Sequence, residues 1–73
     1  MYIKSWNDVP AGAKVIQDTY NEVYEVFIND KCQKCLRIVG FQVPSTRQHL
    51  IGQEQVIDFD ASCMYDQPWI RIG

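Results

Sequence analysis

Cys32 and Cys35 stand three positions apart in Cys-Gln-Lys-Cys, the one pair in this 73-residue chain with the spacing of a metal knuckle. Two thiolates so spaced in a turn can converge on one Zn²⁺, and His49 with Cys63 would complete a Cys₃His set. The rest of a zinc pattern is missing: no second pair follows, and no glycine lets the turn wrap a sulfur. A thioredoxin-like redox motif sits at a helix start within a βαβ unit, whereas this one precedes a strand-like run. Three cysteines also make a poor disulfide framework for a small secreted domain. Reduced, metal-free thiols are the expectation, with a small zinc-knuckle structural protein as an alternative.

Nucleophilic catalysis has little to work with. His49 is the single histidine, and pairing it with Ser62 or Cys63 as a base–nucleophile couple has no support in spacing. Asp58 and Asp60 project from one face of a strand, but alternation with buried Ile57 and Phe59 accounts for that pattern. Gly12, Gly40, Gly52 and Gly73 are scattered, so no glycine-rich phosphate loop exists. The chain is expected to be neither an enzyme nor a cofactor binder.

Charge is divided along the chain. Residues 1–30 carry a net −3, residues 31–53 a net +4 from Lys31, Lys34, Arg37 and Arg47, and residues 54–73 a net −3. A basic middle between acidic ends could orient a partner. Arg37, Val39 and Phe41, with the neighbouring cations, could also form the aromatic and basic platform by which small barrels hold single-stranded nucleic acid. Against that alternative stand the overall charge of −2 and the acids Asp58, Asp60 and Asp66, so direct nucleic-acid binding is not expected. No apolar run reaches the ~18 residues of a membrane span, and MYIKSWND lacks a signal-peptide core. A soluble, cytoplasmic, monomeric protein is expected.

The elements that would carry these residues read as β. A chain this short hides only about 60% of its unfolded surface on folding, so one domain over residues 1–73 is expected. Ser5-Trp6-Asn7-Asp8 reads as a helical turn ended by Pro10. Strands are predicted over residues 13–18, 22–28, 35–43, 55–60 and 68–72. Asn21 is placed to take a positive φ in the first turn, Gly40 to mark a bend or bulge, and Ser45-x-x-Gln48 with Gly52 to bound a short helix over 46–51. The fold class is mainly β: a small barrel or a strongly bent antiparallel sheet of about five strands with one short helix.

Apolar residues outnumber what one sheet face needs. Tyr24, Val26, Ile28, Leu36, Ile38, Ile57, Phe59, Ile70 and Ile72 form an expected inward set, with Val23, Phe27, Val39, Phe41, Val43, Val56 and Trp69 on the opposite phase. Tyr2, Ile3 and Trp6 add an unusually apolar N-terminus. Surplus of this kind marks a surface that meets another protein. The partner-binding set is therefore expected to be Tyr2, Ile3 and Trp6 with Phe41 and Val43 near them, and Lys4 and Arg37 orienting. Trp6 can either close the end of the sheet or face the partner, and the expectation is that its truncation weakens binding more than folding.

The length of 73 residues, the MYIKSW opening, the apolar excess and the single domain together resemble the small phage-encoded transcription regulators. That resemblance implies a non-enzymatic protein that engages the large subunits of bacterial RNA polymerase, displaces the promoter-specificity factor sigma and promotes antitermination in the host cytoplasm. No functional residue is carried over by it.

Overall fold

A computed structural model describes residues 2–3, 6–17, 20–57 and 69–73. Five strands, β1 (Lys14–Gln17), β2 (Glu22–Ile28), β3 (Lys34–Phe41), β4 (Glu54–Val56) and β5 (Trp69–Arg71), form one antiparallel sheet in the order β4-β3-β2-β1-β5. The longest two, β2 and β3, are rich in the β-branched and aromatic residues that suit a pleated, half-buried surface. They make the sheet's centre. Single 3-10 turns at Trp6–Asp8 and Gln48–Leu50 are the helical elements among the described residues.

The sheet is open. Its outermost strands, β4 and β5, do not pair with one another among the described residues, so the bent-sheet form of the expected fold holds and barrel closure does not. The N-terminus extends the β5 side instead: Tyr2 bridges Ile70, and Ile3 N donates to Trp69 O at 2.8 Å.

Register assigns the faces. Residues directly opposite across a ladder share a face, and successive residues alternate. Val15↔Tyr24, Tyr24↔Ile38 and Val26↔Leu36 define the inner face, and Gln17↔Trp69 places Trp69 on it. The core is Trp6, Val9, Ala13, Val15, Val26, Leu36, Ile57 and Trp69, with Ile3 and Tyr24 packed against it. Edge-to-face contacts of Trp69 with Trp6 (5.4 Å between centroids) and with Tyr24 (5.3 Å) tie the N-terminal turn, β5 and β2 together. Lys34, at the start of β3 on the same face, donates from Nζ to the carbonyl oxygens of Trp6 (2.8 Å) and Val9 (2.7 Å). Val9 N also donates to Trp6 O (3.1 Å), so the ammonium is a second donor there and the donor that satisfies Val9 O at the end of the turn.

Several expectations are corrected. The inward phase is right for Val26, Leu36, Ile38 and Ile57 but reversed in β5: Trp69 is buried, while Ile70 faces outward and Ile72 is exposed. Ile28 keeps the inner phase at a strand end, where nothing covers it, and is also exposed. Asn21 does not take the positive φ; Cys32 does, at 62°, among non-glycine residues described. Asn21 acts through its amide, donating from Nδ2 to Val43 O (3.1 Å) and accepting from Val43 N at Oδ1 (3.0 Å), which prolongs the β2–β3 ladder. At Ser45 the hydroxyl accepts from Arg47 N rather than forming the full capping box, consistent with one 3-10 turn in place of a helix. Gly40 lies where the β2–β3 register shifts between Val23 and Tyr24, as a bulge site should. The fourth predicted strand is observed over Glu54–Val56, and its expected residues 58–60 lie outside the described residues.

A candidate protein-docking face

Among the described residues the inner face carries the hydrophobic core, and the outer face carries side chains that the core does not use. Three rows cross it. The first runs over Tyr2, Ile70, Ile16, Val23 and Gly40, linked by Tyr2↔Ile70, Ile16↔Ile70, Ile16↔Val23 and Val23↔Gly40. Its side chains are apolar or aromatic, and Tyr2 is 59% exposed. Beside it lies a charged row, Lys14, Glu25, Arg37 and Glu54, through Lys14↔Glu25, Glu25↔Arg37 and Arg37↔Glu54. Ile72 abuts this row, its N–H donating to Lys14 O at 2.8 Å. The third row is Phe27, Cys35 and Val56.

The charged row is held in place. Arg37 reaches Glu54 Oε2 from both Nε and Nη2 at 2.8 Å, and its guanidinium carbon lies 4.3 Å from the centroid of the Phe27 ring. Those contacts fix a long side chain against an aromatic face and lower the ordering cost of using it in an interface. Lys14 Nζ stands 3.7 Å from Glu25 Oε2, a looser pair. Signs alternate along the row and cancel.

The sequence-predicted site residues are divided by this arrangement. Tyr2 and Arg37 are both on the outer face. Ile3 points into the core side, and Trp6, 2% exposed, belongs to the core itself. Phe41 is at the far end of β3 opposite Glu22, and Val43 lies exposed just beyond it. Tyr2 and β3 are separated by four strand spacings, about 19 Å at the usual interval, so Phe41 and Val43 do not adjoin the N-terminal residues. Lys4 lies outside the described residues. Ile16, Val23 and Ile70 complete the apolar row and were not in the predicted set. The available signal was the phase of Ile16 against Val15 in β1, which puts one of two adjacent β-branched or aliphatic residues on each face.

The charge blocks resolve into contacts across the sheet. Of the four cations of residues 31–53, Arg37 pairs with Glu54, Arg47 Nη1 lies 4.0 Å from Glu22 Oε1, and Lys34 is spent on backbone carbonyls. The basic middle thus meets acids from both flanking blocks.

The cysteines have different surroundings. Cys32 is exposed in the turn that Asn29 organises, where Asn29 Oδ1 accepts from the N–H groups of Lys31 and Gln33 at 2.9 Å. Cys35 is buried on the outer face, its thiol donating to Gln33 O at 3.5 Å. His49 is exposed in the second 3-10 turn, and Cys63 lies outside the described residues. Among the described residues no three His, Cys, Asp or Glu side chains are grouped to hold a metal ion, and no helix is long and apolar enough to cross a membrane.

At the β3–β4 side a small cleft is lined by Tyr24, Ile38, Gln53, Glu54 and Gln55. Desolvation raises the Tyr24 phenol above its ordinary 10.0, with Glu22 and then Tyr20 adding to the shift. That keeps Tyr24 neutral and packed on Trp69 rather than reactive. No protein-family model, curated protein or solved structure matches this chain.

Proposed function

We propose that this protein is a non-enzymatic regulator that docks on bacterial RNA polymerase through the outer face of its sheet. The observation that carries the docking part is the apolar row Tyr2–Ile70–Ile16–Val23, set on a face whose backbone hydrogen bonds are already made. Such a row has nothing to gain from water and can be buried without leaving a polar group unsatisfied. Pre-organised Arg37 adds the residue type that recurs among interface hot spots. Polymerase as the partner follows from the resemblance to small phage-encoded transcription regulators, and with it sigma displacement and antitermination in the host cytoplasm.

Nucleic acid is the less favoured occupant. Phosphate binding draws on a basic excess, whereas the chain carries a net −2 and the acids Glu54 and Glu22 stand against Arg37 and Arg47.

The test is capture of purified bacterial core polymerase and holoenzyme on the immobilised protein. Binding of core, with sigma released from holoenzyme, is expected, and Tyr2→Ala should weaken it about tenfold or more. Tyr20→Ala, also exposed but in the β1–β2 connection rather than in a strand of the sheet, should bind as the parent does. Retention of short single-stranded DNA or RNA in a salt-sensitive manner, with no polymerase captured, overturns the reading.

A further inference from the structure

The geometry points to a second copy of this chain as an occupant of the same outer face, in a weak, two-fold symmetric, face-to-face dimer. It uses the face assigned to polymerase but does not depend on polymerase being the target. The charged row reads plus, minus, plus, minus from β1 to β4: Lys14, Glu25, Arg37, Glu54. A two-fold axis parallel to the strands and midway between β2 and β3 reverses that order in the facing copy. Lys14 then meets Glu54 of the second copy, and Glu25 meets Arg37 of the second copy. Every apposed pair is opposite in sign, which a partner with an unrelated row would not provide.

Shape agrees with charge on the same axis. The reversal sets Val23 of β2 over Gly40 of the second copy's β3. Gly40 has no heavy atom within 4 Å of where a Cβ would sit, so an apolar side chain has room there. Aligned packing of two sheets keeps strand directions within about 30° of each other, which a two-fold parallel to the strands satisfies.

Size sets the strength. Four strand spacings by about four residues of strand is a face of about 19 by 14 Å, well short of the ~800 Å² per partner of a stable complex. The dimer is therefore transient: the protein is monomeric at micromolar concentration and self-associates toward the millimolar range. Because the dimer covers the Ile16 and Val23 part of the docking row, leaving Ile70 and Tyr2 beyond the facing β4 edge, a target that uses the whole row competes with the second copy.

Dilution of ¹⁵N-labelled protein from about 2 mM to about 20 µM, followed by amide shifts and translational diffusion, tests this on the isolated chain. Concentration-dependent shifts centred on Val23, Glu25, Arg37 and Gly40 are expected, with slower diffusion at the high end. Lys14→Glu, at an exposed site, should abolish both. Reversal of the whole row, Lys14→Glu with Glu25→Lys, Arg37→Glu and Glu54→Lys, keeps neighbours opposite in sign within each copy and should restore self-association yet fail to perturb labelled parent protein, since like charges then face one another. Absence of any concentration dependence at about 2 mM, shifts confined to another surface, or free mixing of the row-reversed chain with the parent would each overturn the dimer. None of these outcomes bears on whether polymerase binds.

Discussion

The indole of Trp6 meets that of Trp69 edge to face, centroids 5.4 Å apart and planes at 70°, joining the two ends of the chain at the centre of its core. Neither ring has a share in the outer face. An N-terminal segment that reads as an exposed anchor is, at Trp6, the lid of the hydrophobic core.

Trp6→Ala should accordingly cost folding rather than recognition. Loss of a buried Trp removes about 3–5 kcal/mol, a large share of the 5–15 kcal/mol that holds a typical domain. Urea denaturation monitored by far-UV circular dichroism measures it. The fraction that stays folded should bind its target with unchanged affinity, and a selective loss of affinity at full stability would return Trp6 to the interface.

Lys34→Met keeps most of the aliphatic stem and removes the ammonium that serves Trp6 O and Val9 O. Hydrogen bonds from a charged donor contribute about 1.5–3 kcal/mol each, and the loss here should be about 2 kcal/mol or more. The urea midpoint should fall with an unchanged slope, as expected when stability alters without a change in exposed surface. Hydrogen exchange should accelerate in residues 6–9 ahead of β2 and β3.

Tyr24 makes stability depend on alkaline pH. Its folded-state pKa is raised above the unfolded value of 10.0, so between the two values the folded state binds the proton that the unfolded chain has released. Its contribution is constant below about pH 9 and is lost as pH rises from about 10 through the folded pKa. Tyr24→Phe should flatten that part of the curve. Identical slopes for parent and variant between pH 9 and 11 would show that Tyr24 does not carry it.

Two glycines should respond oppositely to alanine. Gly40 has open space at its Cβ position and no positive φ, so Gly40→Ala should stabilise by about 0.4–1 kcal/mol through the unfolded chain. Gly12 has φ of 93°, a conformation that L side chains rarely adopt, and Gly12→Ala should destabilise despite equal space. Thermal melts of the two variants, run together, separate strain from crowding.

What the sequence determined by itself is local. Two-residue alternation over Tyr24–Ile28 and Leu36–Ile38 sets strands β2 and β3, their shared inner face and the buried pair Val26 and Leu36, because side-chain direction in a strand has a fixed period. Pro and Gly positions bound the turns for the same short-range reason. Tertiary structure decided the rest. Arg71 in three-residue β5 sets charge against apolar Ile70 and Ile72 and so points to those two as the buried phase, the opposite of the observed one. The ladder Ile16↔Ile70 to β1, more than fifty positions away, chose it and thereby built the outer apolar row. The three charge blocks are visible in the sequence, but their meaning is not: Arg37–Glu54 and Arg47–Glu22 form only once the sheet brings distant segments within reach. Burial of Trp6 likewise depends on Trp69 and on Lys34, neither of them near it in the chain, because a hydrophobic core is assembled from whatever the fold places together rather than from neighbours in sequence.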